Sequence, residues 1–350
     1  MHLYRPLYWG YRVQSSVEQT GGAVPEAPRK VLPGCVSPYR GRLVALWEHY
    51  HTPRTVADAL ACLARYDGQA RLIAGGTDLL IDMQHVEKGD HPLAALVDVT
   101  TVSEMTKISV RDGLLYVGAA VTHTSIVKSP LVEEYATCLV ESCGVVGGLQ
   151  VRNVATLGGN VAHALPAGDG TTSLVALGAD AEVAWHNGIR EWLPVTQIFR
   201  GPGISALDSR QDVLVGFRFR CCQEGEASAF KRIMRPQGVA LPILGCAVWV
   251  QLDESRRVLK DIRICISPVD RVPVLAADVE DSLRGQEITD GLIRHVASAA
   301  RDQLNPRASK YRASAEYRSH MIETLLNQVL PLAIKRARSG VARAEGVGLG

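Results

Sequence analysis

The sequence predicts an α+β chain made of a small parallel βαβ unit, a mixed or antiparallel α+β subdomain and a C-terminal α+β domain with an antiparallel sheet and helices. Three observations predict it. Two apolar runs, Leu72-Ile73-Ala74 and Leu93 to Val99, bracket a helical stretch, the signature of parallel strands joined by a crossover helix. Asp112-Gly113 and Asn187-Gly188 each separate two strand-like runs, as hairpin turns do. Val213, Val215, Phe217 and Phe219 alternate with their neighbours at strand period, and three further strand-like runs follow before the chain turns helical.

Taken in order, Thr55 and Asp58 are spaced as a capping box opening a helix through Val56, Leu60 and Leu63, which Gly68 stops. The strand at Leu72-Ile73-Ala74 leads through a glycine turn into a helix from Asp78 to about Val86, with Thr77 in the N-cap position. Lys107 to Val110 and Leu114 to Val117 form the first hairpin, and Thr122 to Ser125 opens a short helix in which His123 is read as a surface or cap residue. A helix over 131–142 feeds a second glycine turn, and a short helix from Thr171 to Leu177 follows Asp169. The second hairpin runs from Ala181 to Trp185 and back through Trp192. Beyond a charged, glycine-containing break over 221–226 come strands at 229–234, 244–252 and 258–266, with Asp253-Glu254-Ser255 turning between the last two. Helices at 275–283, 291–304 and 314–333 complete the chain. The domain reading is therefore an N-terminal extension at 1–42, expected to be disordered, a first domain at 43–222, a second at 223–334 and a solvated tail at 335–350.

Length and charge narrow the function. A chain of 350 residues is long for one core, and a net charge of +2 gives no argument for nucleic acid or a membrane surface. No apolar run approaches the ~20 residues of a membrane helix, and no signal-peptide core is found, so a cytoplasmic protein without a membrane span is expected. The eight cysteines are scattered, with no C-x-x-C pair and no His/Cys cluster at metal spacing, so no metal is expected in this chain.

Chemistry concentrates in two glycine turns. In Arg71-Leu72-Ile73-Ala74-Gly75-Gly76-Thr77-Asp78 a buried strand, two glycines and a helix start form a seat for phosphate, because free N–H groups and the helix dipole point the same way. Thr156-Leu157-Gly158-Gly159-Asn160 repeats the pattern with a hydroxyl, two glycines and an amide. Singly, each reads better as a tight turn; together they suit the diphosphate of a dinucleotide. Neither is a Walker loop nor a G-x-G-x-x-G turn.

The two turns, in this order and spacing, resemble those of the FAD-binding subunit of molybdenum hydroxylases, the family of the carbon monoxide dehydrogenase medium subunit and the flavin domain of xanthine dehydrogenase. The resemblance spans about Leu43 to Leu332 and includes Gln150-Val151-Arg152-Asn153, Pro166, Asp169 and the run Tyr311 to Arg318. It implies a two-domain FAD-binding fold with the cofactor extended between the domains. It further implies that Ile73, Ala74, Gly75, Gly76, Thr77 and Asp78 form the first diphosphate turn and Thr156, Gly158, Gly159 and Asn160 the second. Asp169 matches the acidic residue that contacts FAD, and Leu214 and Lys231 occupy contact positions of the xanthine dehydrogenase branch. For Lys231 a solvated strand position is the competing reading, for Asp169 a helix cap, and for Asp78 a role in stiffening the turn.

The implied partners are a small iron–sulfur subunit and a large subunit with the molybdenum cofactor, which holds the substrate. The flavin would hand electrons to an acceptor such as NAD, a quinone or oxygen, and no catalytic acid or base of this chain is implied. The cysteine-rich insert of one branch, which carries an extra iron–sulfur cluster, is missing between Asn160 and Asp169. His163 and Leu165 depart from the family pattern, which usually has small or polar residues there. Three alternatives stay open: a stand-alone FAD oxidase, a subunit that has lost flavin and serves as scaffold, and a phosphate-binding protein without flavin.

Overall fold

The structure, a computed structural model, describes residues 46–84, 93–234, 241–308, 313–346 and 348–349. The expected extension at 1–42 and the end of the helix expected to reach Val86 lie outside the described residues. The chain opens with strand β1 (Trp47–His51), helix α1 (Val56–Arg65), strand β2 (Ala70–Ile73), helix α2 (Leu79–Gln84) and strand β3 (Leu93–Asp98). These strands form a parallel sheet in the order β1-β3-β2, so β2-α2-β3 is the βαβ unit that the apolar runs predict. Strand β1 was not among the expected elements. Its sequence, Trp-Glu-His-Tyr-His, has no β-branched residue and no apolar alternation. Helix α1 starts where the capping box sets it, with Thr55 Oγ1 accepting from Asp58 N–H at 3.1 Å.

The second subdomain follows as β4 (Ile108–Arg111), β5 (Leu114–Gly118), α3 (His123–Val127), α4 (Pro130–Tyr135), α5 (Thr137–Gly144), α6 (Leu149–Arg152), α7 (Leu157–Ala162) and α8 (Asp169–Ala176). Strands β6 (Asp180–Ala184), β7 (Arg190–Pro194), β8 (Phe199–Gly201), β9 (Ile204–Ser205) and β10 (Val213–Arg220) complete it. Five of these strands make an antiparallel sheet in the order β4-β5-β10-β6-β7. Asp112 and Gly113, both with positive φ (52° and 71°), make the first hairpin turn, as the dipeptide predicts. The helix expected over 131–142 breaks in two at Ala136, whose φ and ψ of −154° and 53° are not helical.

The C-terminal domain holds strands β11 (Glu226–Met234), β12 (Pro242–Leu252) and β13 (Leu259–Ser267) in one antiparallel sheet, then helices α9 (Ala277–Leu283), α10 (Asp290–Gln303) and α11 (Ala315–Ser339). Strand alternation sends this sheet's side chains into two cores. Phe230, Ala247, Trp249 and Cys265 pack with the first domain; Ala229, Cys246, Val248 and Ile264 pack with the C-terminal helices. The sheet is thus the wall shared by the two domains, with α5 and α8 on one side and α11 on the other.

The expected solvated tail is corrected by the structure. Helix α11 passes Ala333 and ends at Gly340, which takes the left-handed φ of 69° that favours glycine at a helix end. Arg336 and Ala337 are buried. Arg336 pairs with Glu141 of α5 at 2.6 Å and also donates to the carbonyls of Ser228 and Arg343. Glu141 in turn accepts from the N–H groups of Phe230 and Glu345 at 2.7 and 2.9 Å. A buried pair of this kind is tolerated where further hydrogen bonds surround both charges, as the two carbonyls and two N–H groups do here. The composition of the tail suggested solvent; one long-range carboxylate decides otherwise.

Candidate cofactor site

The first glycine turn lies at the end of β2 beside the second. An added Cβ on Gly75 would collide with the carbonyl oxygen of Val154 and lie 2.8 Å from Ala155 Cα, so the two backbones touch where only glycine fits. Gly76 takes a φ of +67°, again a conformation that favours glycine. The first turn of α2 closes when Leu80 N–H donates to Gly76 O and Asp82 N–H to Asp78 O. Among the described residues none accepts a hydrogen bond from the N–H groups of Gly75, Gly76, Thr77 or Asp78. Four adjacent donors without partners among the described residues, partly open to solvent, are what an anion would need.

At the second turn the amides of residues 157–160 are not free, contrary to expectation. Leu157 N–H donates to Val121 O, Gly158 N–H to Ala119 O at 2.8 Å, Gly159 N–H to Thr156 Oγ1 at 3.1 Å and Asn160 N–H to Thr156 O. Thr156 caps α7, and its backbone bridges Thr122. Each of these amides already has a protein partner, so the turn contributes surface and support rather than donors. Gly158 is buried because α7 presses on Ala119, whose Cβ would lie 2.5 Å from a Gly158 side chain. Gly159 is the exposed glycine, and its missing side chain would meet only Thr156 Oγ1, at 3.2 Å.

The other expected site residues fall into two groups. Asn160 Oδ1 accepts from Thr171 N–H at 3.2 Å and lies 3.4 Å from Thr171 Oγ1, which ties the second turn to the start of α8. Asp169 is the first residue of α8, with Gly168 in the cap position, and is buried. One of its oxygens accepts from Arg232 Nη1 of β11 at 2.5 Å. Burial outweighs that guanidinium and pushes the Asp169 carboxyl up to about 6. Ile73 ends β2 and is buried, Ala74 and Thr77 are half-buried, and Asp78 is exposed with Oδ1 3.9 Å from His163 Nε2. His163 thereby joins the end of α7 to the first turn, and Leu165 lies exposed beyond it.

Leu214 and Lys231 are not brought onto the turns. Leu214 lies in the core of β10, at the shift in register against β6. Lys231 of β11 pairs with Cys246 of β12, and alternation puts it on the α11 side of the sheet, opposite Arg232. Arg232 is the site residue that sequence reasoning missed. Period-two alternation separates Lys231 from Arg232, but nothing local says which of the two faces the first domain. His123 corrects a second expectation: it is buried beneath the second turn at 1% exposure, its backbone N–H donates to Ala155 O and its ring Nδ1 has no partner among the described residues. Burial and the Arg152 guanidinium lower its pKa to about 4, so it is a neutral support.

These residues fit a diphosphate-bearing cofactor: open donors on one turn, an open glycine face on the other and a buried carboxylate nearby. Comparison with known proteins agrees. Residues 44–219 match the family model described as the FAD binding domain in molybdopterin dehydrogenase, and residues 228–332 match the CO dehydrogenase flavoprotein C-terminal domain. A putative xanthine dehydrogenase FAD-binding subunit of Escherichia coli K12 is 29% identical, the match covering 82% of this chain and 96% of that protein. The carbon monoxide dehydrogenase medium chain of Hydrogenophaga pseudoflava is 27% identical over 82% of this chain and 97% of its own length. Among solved structures, carbon monoxide dehydrogenase from the same organism superposes with a TM-score of 0.74 at 27% identity, covering 82% of this chain and 97% of that one. Quinoline 2-oxidoreductase from Pseudomonas putida 86 superposes at 0.73 and 26% identity, over 82% and 97% of the two chains.

Proposed function

Because the chain belongs to the family of FAD-binding subunits of molybdopterin dehydrogenases, with FAD as its cofactor, we propose that it is the medium subunit of a three-subunit molybdenum hydroxylase. In this reading a small subunit supplies electrons from iron–sulfur clusters, a large subunit with the molybdenum cofactor turns over the substrate, and an acceptor such as NAD, a quinone or oxygen takes the electrons. Bound FAD supplies electron transfer in single or paired steps, which couples one-electron clusters to a two-electron acceptor.

The chain's own residues bind and orient. The N–H groups of Gly75, Gly76, Thr77 and Asp78 donate to the diphosphate, and the backbone of Val154 and Ala155 walls that turn. Gly159 leaves an open surface that lets the cofactor approach, while Thr156 caps the turn, Gly158 seats it on Ala119 and Asn160 ties it to α8. Asp169 accepts from a cofactor hydroxyl, while Ile73 and Ala74 hold the first turn on its strand. Leu214 and Lys231 are kept as more distant contacts, on the family pattern alone. The observation that carries the reading is the row of donors at 75–78, without partners among the described residues, seated against the second turn.

Expression of the full chain with and without its two proposed partner subunits tests this. Co-purification with both, together with a flavin absorption band that substrate bleaches, is the expected result. A yellow protein that purifies alone and oxidises its own substrate would favour a stand-alone flavoenzyme. A colourless chain that takes up no FAD on reconstitution would leave only a scaffold role.

A further inference from the structure

Arg232 is the residue through which the C-terminal sheet reaches the cofactor site. It leaves β11 on the face shared with Phe230 and enters the first domain between the end of α5 and the start of α8. One guanidinium nitrogen donates to Asp169 Oδ2 at 2.5 Å and the other to the carbonyl of Val145 at 2.6 Å. Both side chains of the pair are nearly enclosed, 7% and 5% exposed. Asp169 Oδ1 has no partner among the described residues, and Arg232 Nε is buried without one. A carboxylate held by one oxygen, with the other left over at the start of a helix that Asn160 ties to the second glycine turn, is poised to accept one more hydrogen bond.

We propose that Arg232 is a positioning residue for FAD: by gripping Asp169 and Val145 together it locks the C-terminal sheet to α5 and α8 and keeps Asp169 ionised and aimed, so that Oδ1 accepts from a hydroxyl of the cofactor. This rests on the FAD reading above and extends it to a residue of the second domain. The electrostatics run in the same direction. Burial alone drives the Asp169 carboxyl towards the protonated form, and Arg232 is what opposes it. The titratable groups facing Asp169 are Arg232 from β11 and the Cys143 thiol from α5, itself pushed up by burial and therefore neutral. Without the guanidinium, Asp169 remains protonated to higher pH and turns from acceptor to donor.

The test is titration of the flavin-stripped full chain with FAD between acid and mildly alkaline pH, read by quenching of flavin fluorescence, beside thermal unfolding of the same apo-proteins. Arg232→Met is expected to weaken FAD binding about tenfold or more near neutral pH. It should also move the pH midpoint of binding upward. Placed on Asp169→Asn, the same change should alter affinity less than about threefold, since the coupled partner is already gone. Arg232→Lys keeps the charge and is expected to keep the wild-type midpoint, with weaker binding from the lost Val145 contact; it decides the matter should Arg232→Met fail to fold. Wild-type affinity and midpoint in Arg232→Met, an equal loss in the Asp169→Asn background, or a shifted midpoint in Arg232→Lys each overturns the assignment. A wild-type chain that binds no FAD overturns the site reading itself, a failure separable from the others.

Discussion

A side chain on Gly75 would run into the Val154 carbonyl, with Ala155 Cα 2.8 Å away, whereas one on Gly159 would meet only the hydroxyl of Thr156 at 3.2 Å. The amides differ in the opposite sense. Those of Gly75 to Asp78 find no described acceptor, while those of Leu157 to Asn160 are all bonded to Val121, Ala119 and Thr156. The first turn therefore keeps donors that a bound anion could use, and its glycines allow backbone contact and a left-handed φ. The second is a capped helix start whose buried glycine packs on Ala119 and whose exposed glycine keeps a surface clear. Two nearly identical strings of residues do different physical work, because their neighbours, not their own sequence, decide where the donors go.

The largest expected effect comes from removing the contact between the turns. Gly75→Val should cost about 3 kcal/mol or more, since backbone rather than a flexible side chain must move, and should abolish flavin retention. Thermal unfolding with a flavin-to-protein ratio checks both, and wild-type values would break the adjacency of the turns.

Next comes the support of the second turn. His123 has a folded pKa of about 4 against an ordinary 6.5. Between those values the unfolded chain binds more protons, so stability is present above 6.5 and lost as pH falls towards 4, by about 3 kcal/mol over that window. Asp169 works the other way. Its carboxyl is raised from 3.8 to about 6, so its contribution is full below 3.8 and lost as pH rises through 6. The readout is therefore the difference between wild type and His123→Gln in denaturant unfolding across pH, which should shrink as pH falls. A constant difference would remove the buried neutral histidine from the account.

The two glycines of the second turn should then separate. Gly158→Ala is expected to destabilise the apo-protein by about 1–3 kcal/mol, because Ala119 Cβ and O would lie 2.5 and 2.6 Å from the new methyl. Gly159→Phe should change apo stability least, by about 0.5 kcal/mol at most, while lowering FAD affinity about tenfold or more. Equal flavin affinity in Gly159→Phe and wild type would mean that the open face is not the cofactor's.

Much of this architecture was legible locally. Asp112-Gly113 turns a hairpin because glycine permits positive φ there, Thr55 caps α1 through its own hydroxyl, and the alternation over 213–219 becomes β10. Strand β1 was not legible, since its hydrogen bonds come from β3 and not from any pattern of its own. Nor was the burial of Arg336, whose Lys-Arg-Ala-Arg surroundings look solvated until Glu141 arrives from 195 residues away.

By itself the sequence determined the local geometry: where glycine must stand, where helices start, which side chains alternate, and the family likeness that those positions carry. Only the tertiary structure decided which turn keeps its amides free, that Arg232 rather than Lys231 meets Asp169, and that His123 lies under the site instead of on the surface. The reason is one of range. Backbone conformation is set by a residue and its near neighbours, whereas the solvation and partnering of a donor or a charge depend on whatever distant segment packs against it.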